Sequence, residues 1–570
     1  MTDTLTKQTD RLQWFHQAKF GMFIHWGIYS LQRNGEWTMN ADSISTKDYR
    51  ELAQQFRGER FDADAWVRTA KRAGMKYMVL TTKHHDGFCL WNTKTTEFNA
   101  TEIGPRRDVV REFVEACRRH GMRVGLYWSW VDWNYPDWAE EFIWSDLNTW
   151  RKPFKDEKKH DRLVKYLHAQ VRELLTNYGP IDVFWFDGGF LTAEQYRSRE
   201  LVDEMRRLQP GLLINDRAGF PGDFGNPEGL MPTDGSDRAW ELCHCSAAFT
   251  TWTAPLDDPA LFAPPQELLS LLSDSTGLGG NFLLNFGPQA DGTFPEPNLQ
   301  QLRILGTWMR RNGEAIYGAQ AGPTGRQEWG VSTQRTEVSS QKSAVRKTVY
   351  LHIFRPAPQL AVRGFGAKVK SARLLETGRP IRFKQTGTTL ALTLPPAKLL
   401  PQVVALEFTE PPKFSAEGIR QRLDGSVILV ANQATRQTAH ADKSPVTFVA
   451  PDALGGRIMG WRRVEDSVVW TFRVDQPGRY RPAIEFNNPE SLNIYGRRFE
   501  MTVAGQVLRA SVPLSGRQDR YDRYQLAGAF KLKRGTHTLT VKPYALDPGI
   551  LMNLRAVILE PVGQSQRVAG

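Results

Sequence analysis

The residues of this chain that could do chemistry stand just past short apolar runs. Ile181-Asp182-Val183-Phe184-Trp185-Phe186 is aromatic and β-branched, the texture of a buried strand. Asp187 closes that run, and Gly188-Gly189 follow at once. An ionised Asp among aromatics is costly unless partnered. At the C-terminal end of a parallel strand it also stands where barrels carry their chemistry. The glycines let the backbone turn sharply and leave room for a ligand. Capping of the next helix is the plainer use of such an Asp. The same placement recurs along the chain. His25-Trp26-Gly27 follows the first run, Lys83-His84-His85-Asp86-Gly87-Phe88 the second, Tyr127-Trp128 ends the third and Asn215-Asp216-Arg217 the fifth. Imidazoles that donate and accept hydrogen bonds, indoles that pack on C–H-rich faces, an Arg and an Asp at one rim fit a small polyhydroxylated ligand. A metal on His84, His85 and Asp86 is disfavoured, because adjacent side chains at a strand end seldom converge on one ion. Cys243-His244-Cys245 has its cysteines one residue apart and no second pair, so neither a metal nor another cofactor is expected.

Positioning these groups requires alternating elements. Strands are expected at Gly21–Ile24, Lys76–Thr82, Met122–Trp128, the run before Asp187, Leu212–Asn215 and Asn281–Asn285. Helices are expected at Phe61–Ala73, Asp108–His120, Glu157–Tyr178, Ala193–Leu208 and near Leu299–Ile316. Gly179-Pro180 supplies the stop after Tyr178. Repeated βα units over residues 8–322 predict a (β/α)8-type barrel. A doubly wound sheet is the rival, and no Gly-x-Gly-x-x-Gly turn supports it. Beyond this the helical period disappears. Residues 323–411 suit a small antiparallel β-sandwich, Pro411-Pro412 a linker, and 412–565 a jelly-roll β-sandwich resembling carbohydrate-binding modules. The chain is thus expected to be a multidomain α/β plus all-β protein.

At 570 residues the chain exceeds one core. Its 18 Trp crowd the first half, and most of them serve as core. The four cysteines are too few for a disulfide framework. No run is long and apolar enough for a membrane span. Met1–Asp10 is polar, without the apolar stretch of a secretory leader, which leaves a cytoplasmic or an exported location open. From Lys413 onward 23 Lys and Arg face 14 Asp and Glu, which supplies most of the net charge of +12. The excess is scattered and no nucleic-acid motif accompanies it, so a solvated basic face is expected. Trp461, Tyr480 and Tyr495 are better read as core than as a sugar platform; a platform there would hold the protein on a polysaccharide or mucin. The sequence leaves a homo-oligomer open.

The constellation resembles the glycoside hydrolase family 29 α-L-fucosidases. The resemblance is carried by Phe23-Ile24-His25-Trp26-Gly27, Gly35-Glu36-Trp37, Lys83-His84-His85-Asp86-Gly87-Phe88, Trp185-Phe186-Asp187-Gly188-Gly189, Asn281-Phe282-Leu283-Leu284-Asn285-Phe286-Gly287-Pro288 and Asn312-Gly313-Glu314-Ala315-Ile316-Tyr317-Gly318. It implies a retaining exo-α-L-fucosidase acting on fucosylated glycans, with Asp187 as nucleophile. It implies fucose ligands at His25, Glu36, Trp37, His84, His85, Tyr127 and Arg217, and a lining for the ring and its C6 methyl at Phe23 and Trp185. The family's acid/base varies in sequence. Glu228, in Gly225-Asn226-Pro227-Glu228-Gly229, resembles a Pro-Glu motif that carries this role in some members, and Glu241 is the second candidate. Thr38-Met39-Asn40 departs from the aromatic usual after Glu-Trp and resembles a subgroup preferring branched α-1,3/1,4-linked fucose. Cys243 to Trp252 also departs from the usual Trp-Gly-Tyr stretch. A catalytically silent fucose-binding protein and a glycosidase for another deoxy sugar remain the alternatives.

Overall fold

A computed structural model describes residues 11–136, 156–189, 192–229, 231, 238–247, 252–254, 258, 261–335, 348–437, 447–449, 456–488, 497–515, 521–546 and 551–563. Two compact units divide the chain. The first comprises Met1–Gly229, Ser236–Leu268 and Gly279–Gly318, and the second Leu230–Gly235, Leu269–Leu278 and Ala319–Gly570.

The first unit is built on seven strands: β1 (Phe20–Ile24), β2 (Tyr77–Lys83), β3 (Arg123–Ser129), β4 (Val183–Asp187), β5 (Leu213–Ile214), β6 (Glu241–Cys245) and β7 (Asn281–Asn285). They form one parallel sheet in the order β5-β4-β3-β2-β1-β7-β6. Helices Ala63–Ala73, Val109–Arg119, Glu157–Asn177, Ser198–Leu208, Pro265–Gly277 and Glu296–Asn312 run between or after the strands. Their starts follow from sequence. Asp62, Asp108 and Asp156 each accept backbone N–H bonds of the first turn. Gly74 ends the first of them in the left-handed region at φ 96°.

One apolar cluster draws Phe23, Val79, Tyr127, Val183, Trp185, Leu213, Cys243 and Leu283 from all seven strands, so the sheet curls around a shared interior. Between β5 and β6 the ladder is carried by residues 223–229. Asp223 N bonds Ile214 O at 2.6 Å on one side, and Glu241 N bonds Gly225 O at 2.9 Å and Gly229 N bonds Cys243 O at 3.1 Å on the other. Isolated parallel bridges pair Asn215 with Phe224, Gly225 with Trp240 and Glu228 with Cys243. Gly225, Asn226 and Pro227 keep this stretch from being a regular strand, yet it fills the gap in the sheet and carries Glu228.

Strand β6, the helix Pro265–Gly277 and the short helices Thr38–Ala41 and Thr46–Leu52 were not expected from sequence. The expected helix Ala193–Leu208 is broken, because Arg197 adopts φ 49° between Ala193–Tyr196 and Ser198–Leu208. The final helix begins and ends earlier than expected, at Glu296 and Asn312.

The second unit is rich in mainly antiparallel sheets. A five-stranded sheet, including Thr348–Ile353 and Gln402–Phe408, and a three-stranded one, including Gln359–Arg363 and Thr389–Thr393, share one cluster. Val349, Leu351 and Val404 meet Leu360, Val362 and Leu390 there. Two larger sheets, one through Ser467–Val474 and one through Gly478–Asn487, share a second cluster. Trp461 and Tyr480 lie in that cluster, buried, and neither offers a ring face to a ligand. Tyr495 lies outside the described residues. Among the described residues no helix is long and apolar enough to cross a membrane.

Candidate functional site

The C-terminal ends of the strands bring the expected residues together. A cavity of about 410 Å³ is lined by Phe23, His25, Glu36, Trp37, His84, His85, Tyr127, Trp185, Asp187, Arg217 and Glu228. Gly188, Gly189, Asp216, Gly219, Cys243 and Trp252, none of them expected as ligands, complete the lining.

Asp187 is the best-held group. Ser129 of β3 pairs with it in register, one step past Trp128 and Phe186. Gly188 takes φ 68°, and a Cβ there would stand 2.7 Å from Val131 Cγ2. A Cβ on Gly189 would stand 2.6 Å from Arg217 O. Gly189 therefore lets the backbone of Arg217 close on the end of β4, while Gly188 makes room for Val131. Arg217 Nη1 then donates to Asp187 Oδ1 at 2.8 Å, and Tyr127 OH donates to Oδ2 at 2.7 Å. His85 Nε2 stands 3.6 Å from Oδ2, longer than a hydrogen bond. Burial pushes the Asp187 acid up, but Arg217, His85, His84 and Tyr127 outweigh it and hold the carboxyl well below its ordinary range. Asp187 is ionised at neutral pH.

Arg217 uses its second arm on Glu228: Nη2 donates to Oε2 at 2.7 Å. One guanidinium thus joins both carboxylates, and its plane lies over the Trp185 ring at 4.7 Å. The Glu228 side chain is 39% exposed against 18% for Asp187, so Glu228 sits nearer solvent.

The histidines are neutral. Burial lowers His25 to about 3 and His85 to about 4, and it lowers His84 well below the ordinary value. Neighbours fix two of the rings. His25 Nδ1 lies 2.8 Å from Asn285 Oδ1, and His85 Nδ1 lies 2.6 Å from Ser129 Oγ. His84 Nδ1 is buried without a hydrogen-bond partner among the described residues. Glu36 accepts from Trp252 N at 3.1 Å, and burial pushes it up to about 7. Trp37 meets His85 edge-on with centroids 5.1 Å apart, and Phe23 lies 5.2 Å from Trp185.

Glu241 does not line this cavity. It is buried behind Trp185, accepting from Tyr77 OH, from Trp185 Nε1 at 3.3 Å and from Asn226 Nδ2 at 3.3 Å. Burial pushes it up to about 7 against those bonds. It props Trp185 and tethers the Glu228 stretch through Asn226. Asp86 likewise turns away from the cavity, accepting from Tyr49 OH at 2.9 Å and Phe88 N at 3.2 Å. Donor atoms of His84, His85 and Asp187 lie within 4.8 Å of one another, the one such cluster among the described residues. Arg217 already neutralises the carboxylate there. Cys243 and Cys245 are free and buried on β6, and among the described residues no candidate metal cluster includes them.

The missed residues had weak signals. Trp252 follows no periodic segment, and Asp216 stands out in the sequence only as the neighbour of Arg217. Asn285 ends the run Asn281-Phe282-Leu283-Leu284-Asn285, but its bond to His25 follows only from the β1–β7 pairing.

Comparison with known proteins identifies the family. The family model described as alpha-L-fucosidase matches residues 2–314. Alpha-L-fucosidase isoenzyme 1 from Paenibacillus thiaminolyticus is 35% identical with TM-score 0.63, over 71% of this chain and 100% of that one. The alpha-L-fucosidase from Vibrio sp. strain EJY3 is 25% identical with TM-score 0.73, over 97% of this chain and 98% of that one. A third structure, the GH29 alpha-L-fucosidase from Bacteroides thetaiotaomicron, was trapped as a covalent intermediate in complex with 2-fluoro-fucosyl fluoride. It is 27% identical with TM-score 0.62, over 70% of this chain and 96% of that one. The chain belongs to the α-L-fucosidase family, glycoside hydrolase family 29.

Proposed function

We propose that the chain is a retaining exo-α-L-fucosidase that releases terminal α-linked L-fucose from glycans through a covalent fucosyl-enzyme. The observation that carries this reading is one pocket in which Arg217 joins an ionised, buried Asp187 to a more exposed Glu228. Retention requires two carboxyl groups about 5–5.5 Å apart, and neighbouring arms of one guanidinium suit such a pair. Asp187 attacks the anomeric carbon while Glu228 gives its proton to the departing oxygen. Glu228 then takes a proton from the water that attacks the ester carbon at C1, which frees Asp187 and fucose. Departure of Glu228 from Arg217 as substrate enters frees it for that proton.

Neutral His25, His84 and His85, with Glu36, Trp37, Tyr127 and Arg217, are the ligands of the sugar hydroxyls. Phe23 and Trp185 give the C6 methyl an apolar wall. The stretch Glu36-Trp37-Thr38-Met39-Asn40 supports a preference for α-1,3/1,4 linkages. Residues 8–322 form the catalytic barrel on this reading, 323–411 a small sandwich and 412–565 a jelly-roll module. The two separate apolar clusters of the second unit support that division. Release of 4-nitrophenol from its α-L-fucoside by the wild type and by Asp187→Ala tests the function. Turnover that collapses in the variant is expected. Undiminished turnover in the variant would overturn the reading.

A further inference from the structure

We propose that Asp216 binds the aglycone: its free carboxylate oxygen accepts a hydrogen bond from a hydroxyl of the sugar to which fucose is attached. The proposal rests on the fucosidase reading above, which puts the leaving group beside Glu228. The cavity, at about 410 Å³, falls within the range of small-molecule sites, about 300–1,000 Å³. Its lining divides by chemistry. Phe23, His25 and His84 make an aromatic, hydrogen-bonding end. Asp216, on the Glu228 side, has no role in the mechanism.

Asp216 is half-buried and lines the cavity one residue before Arg217. Its Oδ1 accepts from Asn226 N at 3.2 Å, which ties it to the stretch that carries Glu228. Its Oδ2 has no hydrogen-bond partner among the described residues. A Cβ on Gly225 would stand 3.3 Å from that oxygen, so any larger residue there would crowd it. A half-buried anionic acceptor with unspent capacity, beside the leaving group, suits a donor hydroxyl. Neutral hexoses and N-acetylhexosamines present such hydroxyls; a simple alcohol does not.

The bond to Asn226 gives Asp216 a rival role, which is to position Glu228. Two substrates separate the roles. Methanol and a sugar hydroxyl both need a proton to depart, but only the sugar has further hydroxyls to bind. The experiment compares kcat/KM for methyl α-L-fucoside with that for the best of the fucosyl-galactose and fucosyl-N-acetylglucosamine disaccharides, in wild type, Asp216→Asn and Asp216→Ala. Asn retains an acceptor for Asn226 N and loses the charge. We expect the disaccharide to lose about 10-fold or more in both variants, while methyl fucoside is unchanged in Asp216→Asn. Equal losses on both substrates in Asp216→Asn would overturn aglycone binding in favour of positioning. Unchanged disaccharide turnover, or a wild type that cleaves methyl fucoside but no disaccharide, would also overturn it. A wild type inert on every fucoside would overturn the underlying reading and this proposal with it.

Discussion

Replacing Arg217 with methionine keeps an apolar stem against Trp185 and removes two charge-assisted bonds, 2.8 Å to Asp187 and 2.7 Å to Glu228. A hydrogen bond to a charged group is worth about 1.5–3 kcal/mol, and about 1.4 kcal/mol is one pH unit or a factor of ten. Asp187 would keep Tyr127 OH at 2.7 Å and a neutral imidazole nitrogen at 3.6 Å, in a side chain only 18% exposed. Burial, which raises its acid, would then meet weaker opposition. The sign follows. In the wild type Asp187 is depressed, so the ionised nucleophile is lost only as pH falls through a very low value. Without Arg217 that value rises by about 1–2 pH units, and the nucleophile is lost at correspondingly higher pH. The assay is the pH profile of kcat/KM for 4-nitrophenyl α-L-fucoside, whose limbs report groups of the free enzyme. We expect Arg217→Met to lower the plateau about 10- to 100-fold and to move the acid limb upward. Arg217→Lys keeps the charge, but an ammonium cannot fork to both carboxylates, so its losses should be intermediate. Arg217→Met with a wild-type plateau and an unmoved acid limb would show that Arg217 does not hold Asp187 ionised.

Two further outcomes separate the candidate acids. Glu228→Gln should lose about 10²–10⁴-fold on methyl α-L-fucoside, and far less on 2,4-dinitrophenyl α-L-fucoside, whose leaving group needs little proton. Equal losses on the two would argue against an acid role. Glu241→Gln should leave the ratio of those two substrates unchanged and alter stability instead. Burial raises Glu241 from 4.5 to about 7 in the folded chain, so its contribution to stability is present below 4.5 and is lost as pH rises through about 7. Thermal unfolding across that window should show Glu241→Gln gaining on the wild type as pH rises. A difference in Tm that does not change with pH would contradict the assignment.

Much of this site is legible in sequence because it sits at the ends of strongly patterned strands. Phe184-Trp185-Phe186-Asp187 and Tyr77 to Lys83 are apolar runs that stop at ionisable or imidazole groups, and burial of both faces makes such runs readable. Strand β6 is not readable in this way. Glu241-Leu242-Cys243-His244-Cys245 opens on a carboxylate, and only the fold shows that Tyr77, Trp185 and Asn226 satisfy it. The helix Pro265–Gly277 is buried along most of its length, and Ser270, Ser273, Asp274 and Thr276 are buried with its leucines, so its polar residues do not mark a solvated face. Arg197 breaks a helix in the middle of an unbroken helical pattern, a tertiary choice that local propensity does not encode. Residues 223–229 read as a loop from their Gly, Asn and Pro content, although their backbone bonds reach both neighbouring strands. The role of that stretch becomes visible only once β5 and β6 are placed. Trp461 and Tyr480, equally aromatic in sequence to the pocket tryptophans, belong to a core, because composition alone does not say which face of a strand an aromatic takes.

The retaining mechanism requires Asp187 to become covalently bonded to C1 of fucose. The direct measurement is mass spectrometry of proteolytic peptides after incubation with 2-fluoro-fucosyl fluoride, with the modified side chain located by fragmentation. One 2-fluorofucosyl ester is expected, on Asp187, and absent when fucose competes for the pocket. An ester on Glu228, Glu36 or any other carboxylate, or an active enzyme that acquires none, would contradict this role of Asp187.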